Sequence, residues 1–227
     1  MNNYIKIENL TKKYKKNKTI KVLNNISFHF EPGKIYSITG PSGSGKSTLL
    51  NLLSLIDNPT SGTIEINSNK IKLNNKVEND LIRAKKIGII YQDKNLLSDF
   101  TALENVYLPN LLVSKEKQKS VDLAKKLMKN VGMSTRINYF PNELSGGENQ
   151  RIAIARALIN DPDIILADEP TGSLDFENAK LIFKILFNLK NKKRIIIFAT
   201  HNRYFANMAD CKIMMNSGNI QIINATA

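Results

Sequence analysis

Cysteine is nearly missing from this 227-residue chain, and the one present is Cys211. An internal disulfide framework and a cysteine-rich metal site are thereby excluded, which fits a reducing compartment. Long apolar runs are missing too. The longest, such as Ile195-Ile196-Ile197-Phe198-Ala199, are strand-length, against the ~18–20 uninterrupted apolar residues that a membrane-crossing helix needs. Residues 1–8 alternate like a strand and lack a signal peptide's apolar core. Acidic residues are scarce, 20 against 33 basic ones, giving a formal charge of +13 with Lys outnumbering Arg 27 to 6. Such a surplus suits solubility, an anionic membrane face or nucleic acid equally, and alone selects none.

What is present is ordinary globular material, 42% hydrophobic and 23% charged. The length fits one compact unit or two tight subdomains. Tyr4 to Glu8, Ile26 to Phe30 and Thr63 to Asn67 alternate as strands, with turns at Glu31-Pro32-Gly33 and Pro59-Thr60-Ser61-Gly62. The Asn/Lys-rich stretch from Asn67 to Asn79 reads as a surface loop. Residues 95–144 are helix-like, with Val121, Ala124, Leu127, Met128 and Val131 at helical spacing. The last third holds apolar strands, Ile164 to Ala167 and Arg194 to Thr200, separated by a helix from about Asn178 to Leu189. Strands apolar on both faces and separated by helices predict a parallel sheet covered on both sides. Ser217-Gly218 predicts a closing hairpin. There is no internal repeat.

The chemistry concentrates in a few short segments. Gly40-Pro41-Ser42-Gly43-Ser44-Gly45-Lys46-Ser47, followed by Thr48, has the spacing of a phosphate loop and lies between a strand and a helix. Its glycines let successive N–H groups face phosphate oxygens. Lys46 would meet the terminal phosphates, and Ser47 would ligate Mg²⁺. Ile164 to Ala167 runs into Asp168 and Glu169. Beside a phosphate loop, the first acid serves Mg²⁺ and the second polarises the attacking water; taken alone, the pair is a strand ending in solvated acids. Ser145 and Glu148 open a helix with capping-box spacing. Gly146 and Gly147, which a capping box does not require, also let an anion approach the helix end. Tyr14 among Lys12, Lys13, Lys15, Lys16 and Lys18, Gln92, and His201 at a strand end each have a plain surface or structural alternative. His29 reads as structural and Cys211 as a small buried hydrophobe.

Together these segments resemble the nucleotide-binding subunit of an ATP-binding cassette (ABC) transporter, over nearly the whole chain. Leu144-Ser145-Gly146-Gly147 is similar to that family's signature, which binds the γ-phosphate of ATP held by the opposite subunit. Gln92 matches its Q-loop glutamine, a Mg²⁺/water ligand and link to the membrane partner. Tyr14 matches the aromatic that stacks on adenine, Ser173-Leu174-Asp175 the D-loop, and His201 the switch histidine. The resemblance implies an α/β fold with an ABC-ATPase core, an N-terminal antiparallel β subdomain and a helical insertion. Within a single domain over 1–227, the core spans 1–94 and 146–227 and the helical part 95–145.

The implied activity is hydrolysis of ATP with Mg²⁺, with Lys46, Glu169 and His201 catalytic and Ser47, Gln92 and Asp168 at the metal. The implied partners are an integral membrane permease subunit and a second ATP-binding subunit, expected to be a second copy of this chain. The implied location is the cytoplasmic face of the membrane. Leu55 to Gly62, Thr101 to Val106 and Ala167 to Asp175 resemble the macrolide-exporter and lipoprotein-releasing type, which moves peptides, antibiotics or lipoproteins. Glu148-Asn149, in place of a Gln pair, and Asn216-Ser217-Gly218, which lacks an acid, depart from the pattern. The alternative is a non-transport cassette acting on nucleic acid or the ribosome, or one regulating cell division. Cassettes that act on nucleic acid or the ribosome usually carry two cassettes per chain or a long coiled coil, so nucleic acid is not the expected partner.

Overall fold

The computed structural model describes residues 4–15, 19–73 and 75–225; Lys16 and Lys18 of the basic run lie outside them. Its strands in chain order are β1 (Ile5–Lys15), β2 (Thr19–Phe30), β3 (Ile35–Thr39), β4 (Ser61–Ile66), β5 (Asn69–Lys70), β6 (Ile87–Ile90), β7 (Ile164–Asp168), β8 (Ile195–Ala199), β9 (Cys211–Asn216) and β10 (Asn219–Ala225). Helices are α1 (Lys46–Leu53), α2 (Lys76–Lys86), α3 (Ala102–Ser114), α4 (Lys117–Asn130), α5 (Gly146–Leu158), α6 (Phe176–Asn188) and α7 (Arg203–Ala206).

These strands make two sheets among the described residues. The N-terminal one is antiparallel, in the order β2-β1-β4-β5; the central one runs β10-β9-β3-β8-β7-β6. Strands β9, β3, β8, β7 and β6 are parallel neighbours, and β10 closes the edge antiparallel to β9. That hairpin turns through Ser217 (φ 47°) and Gly218 (φ 77°), two successive left-handed residues as a tight hairpin of matching twist requires.

The central strands divide their side chains by parity. Ile164, Leu166, Ile195, Ile197 and Ala199 join a core shared with α1 and the antiparallel sheet. Ile165, Ala167, Ile196 and Phe198 join a second core under α3, α4, α5 and α6. Apolar residues at both parities are therefore buried, which is why these strands read as unbroken hydrophobic runs. The arrangement leaves the carboxyl ends of β3, β7 and β8 free for loops, the usual location of a ligand site in such a sheet.

Two local expectations are corrected. The stretch Asn67–Asn79 is not all loop, since it contains β5 and the first turn of α2. Helix α2 carries apolar residues at helical spacing, Val77, Leu81 and Ala84, but that stripe faces outward: the helix buries only Asn79, leaves Val77 and Leu81 exposed, and packs Ile82 partly against the core. Its ends are held as well: Asn75 caps the N-terminus and Arg83, Lys85 and Lys86 lie in the last turn. Lys12 is not part of a solvated run either. It is 8% exposed, and its ammonium donates to Asp57 and to the Asn58 carbonyl, both at 2.6 Å.

Candidate active site

Strand β3 delivers Gly40 and α1 receives the chain at Lys46. Gly40 needs its missing side chain for two reasons: φ is +147°, and a Cβ would run into the Met215 carbonyl of β9. Gly43 differs, having φ +76° but nothing within 4 Å of where a Cβ would stand. The space over Gly43 is thus open, as an incoming phosphate would require. Lys46 is 6% exposed and folds back over the loop, donating to the Gly40 and Pro41 carbonyls at 2.9 and 3.2 Å. A buried cation held only by neutral carbonyls is available to a stronger anionic partner.

Strand β7 ends in the acid pair. Asp168 keeps its Oδ1 buried with no hydrogen-bond partner among the described residues. An orphaned buried carboxylate oxygen is costly, and a cation or its bound water would satisfy it. Glu169 is left-handed at φ 45°, a conformation that costs a residue with a Cβ of order 1 kcal/mol. It is pinned there because its N–H donates to Ala199 of β8 at 3.1 Å and its carbonyl accepts from Gly172 at 3.0 Å. Its Oε2 accepts from the His201 N–H at 3.2 Å. The His201 Nε2 approaches Oε1 to 3.1 Å, close enough for an ion pair when the imidazole is charged, yet Oε1 has no hydrogen bond. One carboxylate oxygen is thus oriented by a backbone N–H, while the other is buried beside the imidazole.

Ser42, Gln92, Glu169, Gly172 and His201 line one cleft of about 640 Å³. The structure therefore brings together loop, glutamine, acid and histidine from four separate segments. Gln92 lies against Gly172, where a Cβ would stand 3.0 Å from its amide nitrogen. Ser47 is exposed at the first turn of α1. Tyr14 stands apart from the cleft on β1, 38% exposed. Its hydroxyl donates to Asp57 at 2.8 Å, and the Lys12 ammonium lies 4.8 Å from its ring centroid. Burial, then the bond to Asp57, pushes the Tyr14 hydroxyl above its ordinary pKa, so it stays a neutral donor.

Residues 145–147 do not line this cleft. Ser145 caps α5, accepting from the Glu148 N–H at 3.3 Å, while Glu148 accepts from the Ser145 N–H at 2.8 Å. That backbone bond, with Arg136 beside it at 3.1 Å, holds the Glu148 carboxyl below the usual range. The two glycines behave differently. Gly146 is exposed, whereas a Cβ on Gly147 would press to 3.0 Å on Asn178 of α6. The second glycine thus also serves helix packing.

Comparison with known proteins decides the class. Residues 23–172 match the family model described as ABC transporter. The chain belongs to the ABC transporter family. Lipoprotein-releasing system ATP-binding protein LolD of Buchnera aphidicola subsp. Schizaphis graminum is 43% identical over 226 residues, covering 97% of this ABC cassette and 98% of that relative. LolD of Wigglesworthia glossinidia brevipalpis is 44% identical at the same coverage of both chains. Among solved structures, the dimeric post-hydrolysis ATP-binding cassette MJ0796, bound to ADP and Pi, matches with TM-score 0.90 and 36% identity, over 98% of this chain and 99% of that one. This chain is an ATP-binding and ATP-hydrolysing ABC cassette, with the α/β fold of that family.

Three residues around the site escaped the sequence reading. Gln150 of α5 donates to the Tyr91 carbonyl at 3.4 Å, and Arg156 donates to the Lys94 and Asn95 carbonyls at 2.6 Å each. Lys94 in turn donates to Ser173 at 2.6 Å. Only contacts distant in sequence define these roles. The single hint was Arg156, a second arginine set within the apolar run Ile152 to Leu158.

Proposed function

We propose that this cassette, as a head-to-tail dimer bound to a separate membrane permease, hydrolyses Mg-ATP to extract lipid-modified proteins from a membrane. The observation that carries the cargo class is near full-length identity of 41–44% to several LolD proteins of different bacteria. A dimeric relative of nearly identical fold supports the pairing. Among the described residues no helix is long and apolar enough to cross a membrane, so coupling would need the permease. The groove of about 420 Å³ between α2, α3 and the Tyr91–Asn95 loop supports that contact. Exposed Leu112 lines it, and α2, which contributes Asp80, Arg83 and Ala84 to the lining, also exposes Val77 and Leu81. Its place would be the cytoplasmic face. The single domain over 1–227 would divide into the core and the helical part 95–145.

Lys46 and the loop amides would bind the phosphates, and Tyr14 would stack on the base. Ser145, with the glycines behind it, would complete the partner's site. The Asp168 orphan oxygen, the Ser47 hydroxyl and the Gln92 amide are the donors that fit Mg²⁺. No group of three or more His, Cys, Asp or Glu gathers among the described residues, at this site or any other, so a Mg²⁺ held here would take most of its ligands from phosphate and water. When bound, Mg²⁺ would neutralise phosphate charge. Glu169 would accept the proton of the attacking water, and His201, fixed through the Glu169 carboxylate, would contact the transferred phosphate. The test is reconstitution with the permease in lipid, following ATP-dependent release of a lipid-modified protein. Release absent from a complex that hydrolyses ATP would refute the cargo; absence of hydrolysis would refute the enzyme.

A further inference from the structure

The segment after β6 is strained and held from three sides. Lys94 and Asn95 are consecutive left-handed residues at φ 58° and 48°. Asn tolerates that conformation; Lys, with no local side-chain bond to offset the Cβ clash, does not. Arg156, from the last turn of α5, grips both carbonyls. The Lys94 ammonium then crosses to the turn that follows Glu169 and donates to the Ser173 hydroxyl at 2.6 Å. That turn is closed by Gly172 N–H to the Glu169 carbonyl and Leu174 N–H to the Thr171 carbonyl. Tyr91, Asn95 and Arg156 also line the groove beside α3. One continuous path therefore joins a surface groove to the backbone of Glu169.

We infer that Lys94 is a positioning residue for hydrolysis. Its bond to Ser173 ties the Gln92-bearing loop to the turn that holds Glu169, so the two approach the phosphates as one unit. Displacement at the groove is transmitted to the acid through this tie, and the strain at Lys94 and Asn95 lets the loop spring away once the tie breaks. The kinetic part rests on the ATPase role of Glu169; the mechanical part does not.

The full-length chain tests this by a double-mutant cycle of Lys94→Met, which keeps the stem without the charge, and Ser173→Ala. A charge-assisted bond at an exposed site predicts that kcat falls about 3–10-fold in each single variant with KM for ATP unchanged. The double variant should be no worse than either single one, and Lys94→Arg should recover most of the rate. In parallel, hydrogen exchange by mass spectrometry should show faster exchange across residues 91–97 in both single variants, with or without nucleotide. Multiplicative losses, unchanged kcat, a matching rise in KM, or failure of Lys94→Arg would each overturn the tie. Wild-type chain that binds but never hydrolyses ATP would sink the ATPase role, and unchanged exchange would then sink the tie by itself.

Discussion

Replacing Glu169 by Gln tests the assignment of the general base most sharply. The substitution keeps the side chain's volume and its Cβ, so the left-handed strain at φ 45° is the same before and after. It also keeps an oxygen to accept the His201 N–H now held at 3.2 Å. The contact of His201 with Oε1 spans 3.1 Å, but the imidazole is 52% exposed, so its loss costs about 1 kcal/mol or less after solvent screening. Thermal unfolding should accordingly move little. Catalysis should move a great deal. Removing a general base slows reactions by about 10²–10⁴-fold, or about 2.7–5.4 kcal/mol in the barrier. ATP affinity should survive, because Lys46 and the loop amides are untouched. Chains loaded with Mg-ATP should then accumulate as a stable dimer, visible by light scattering beside a phosphate-release assay. A Glu169→Gln chain that hydrolyses ATP at the wild-type rate, or remains monomeric at saturating Mg-ATP, would falsify the role given to this acid.

Lys46→Ala should abolish tight ATP binding in calorimetry while circular dichroism stays native; unchanged affinity would refute the loop assignment. Tyr14→Ala should weaken ATP by roughly 1–3 kcal/mol, the worth of stacking on one aromatic. Tyr14→Phe should keep the affinity and lose only the bond to Asp57, so equal weakening by both would show that the hydroxyl, not the ring, matters. Burial works against the Asp57 charge, but the bonds from Lys12, Tyr14 and the Asn58 N–H outweigh it and hold its carboxyl below the ordinary carboxylate range. Its stabilising contribution is therefore present above the unfolded value, about pH 4, and is lost as pH falls through the depressed one. Urea midpoints measured between pH 6 and 3 should drop less steeply in Asp57→Asn than in wild type, and parallel curves would disprove the linkage.

The parts of the site that depend on local backbone chemistry were legible from the sequence. A phosphate loop announces itself because Gly40, Gly43 and Gly45 must adopt positive φ, and a strand ending in acids shows as Ile164 to Glu169. Apolar residues at both parities of β7 and β8 announced the parallel sheet. What stayed hidden depends on distance in sequence. Lys12 reads as one more lysine until Asp57, 45 residues away, reaches it. Asn105 is buried at 1% exposure because its amide holds Leu97, Phe100 and Thr101, a role that a lone polar residue in a helix does not advertise. Helix α2 is masked for another reason: Val77, Leu81 and Ala84 lie at helical spacing, but that face is exposed and the surrounding Lys and Asn residues give the segment the composition of a loop.

The capping bond at Ser145 has a consequence for how one hydroxyl divides its labour. In closing the box with Glu148, Ser145 Oγ acts as an acceptor only, and a hydroxyl has one proton to donate besides its lone pairs. That proton belongs to an exposed residue, so an anion arriving from another chain would receive a hydrogen bond without disturbing the cap. Helix integrity and ligand contact are thus separable by chemistry at a single atom. Ser145→Thr would retain both functions, since threonine keeps the hydroxyl. Ser145→Asp would cap equally well, yet present a negative charge where the donor had been, leaving α5 intact and the incoming phosphate repelled.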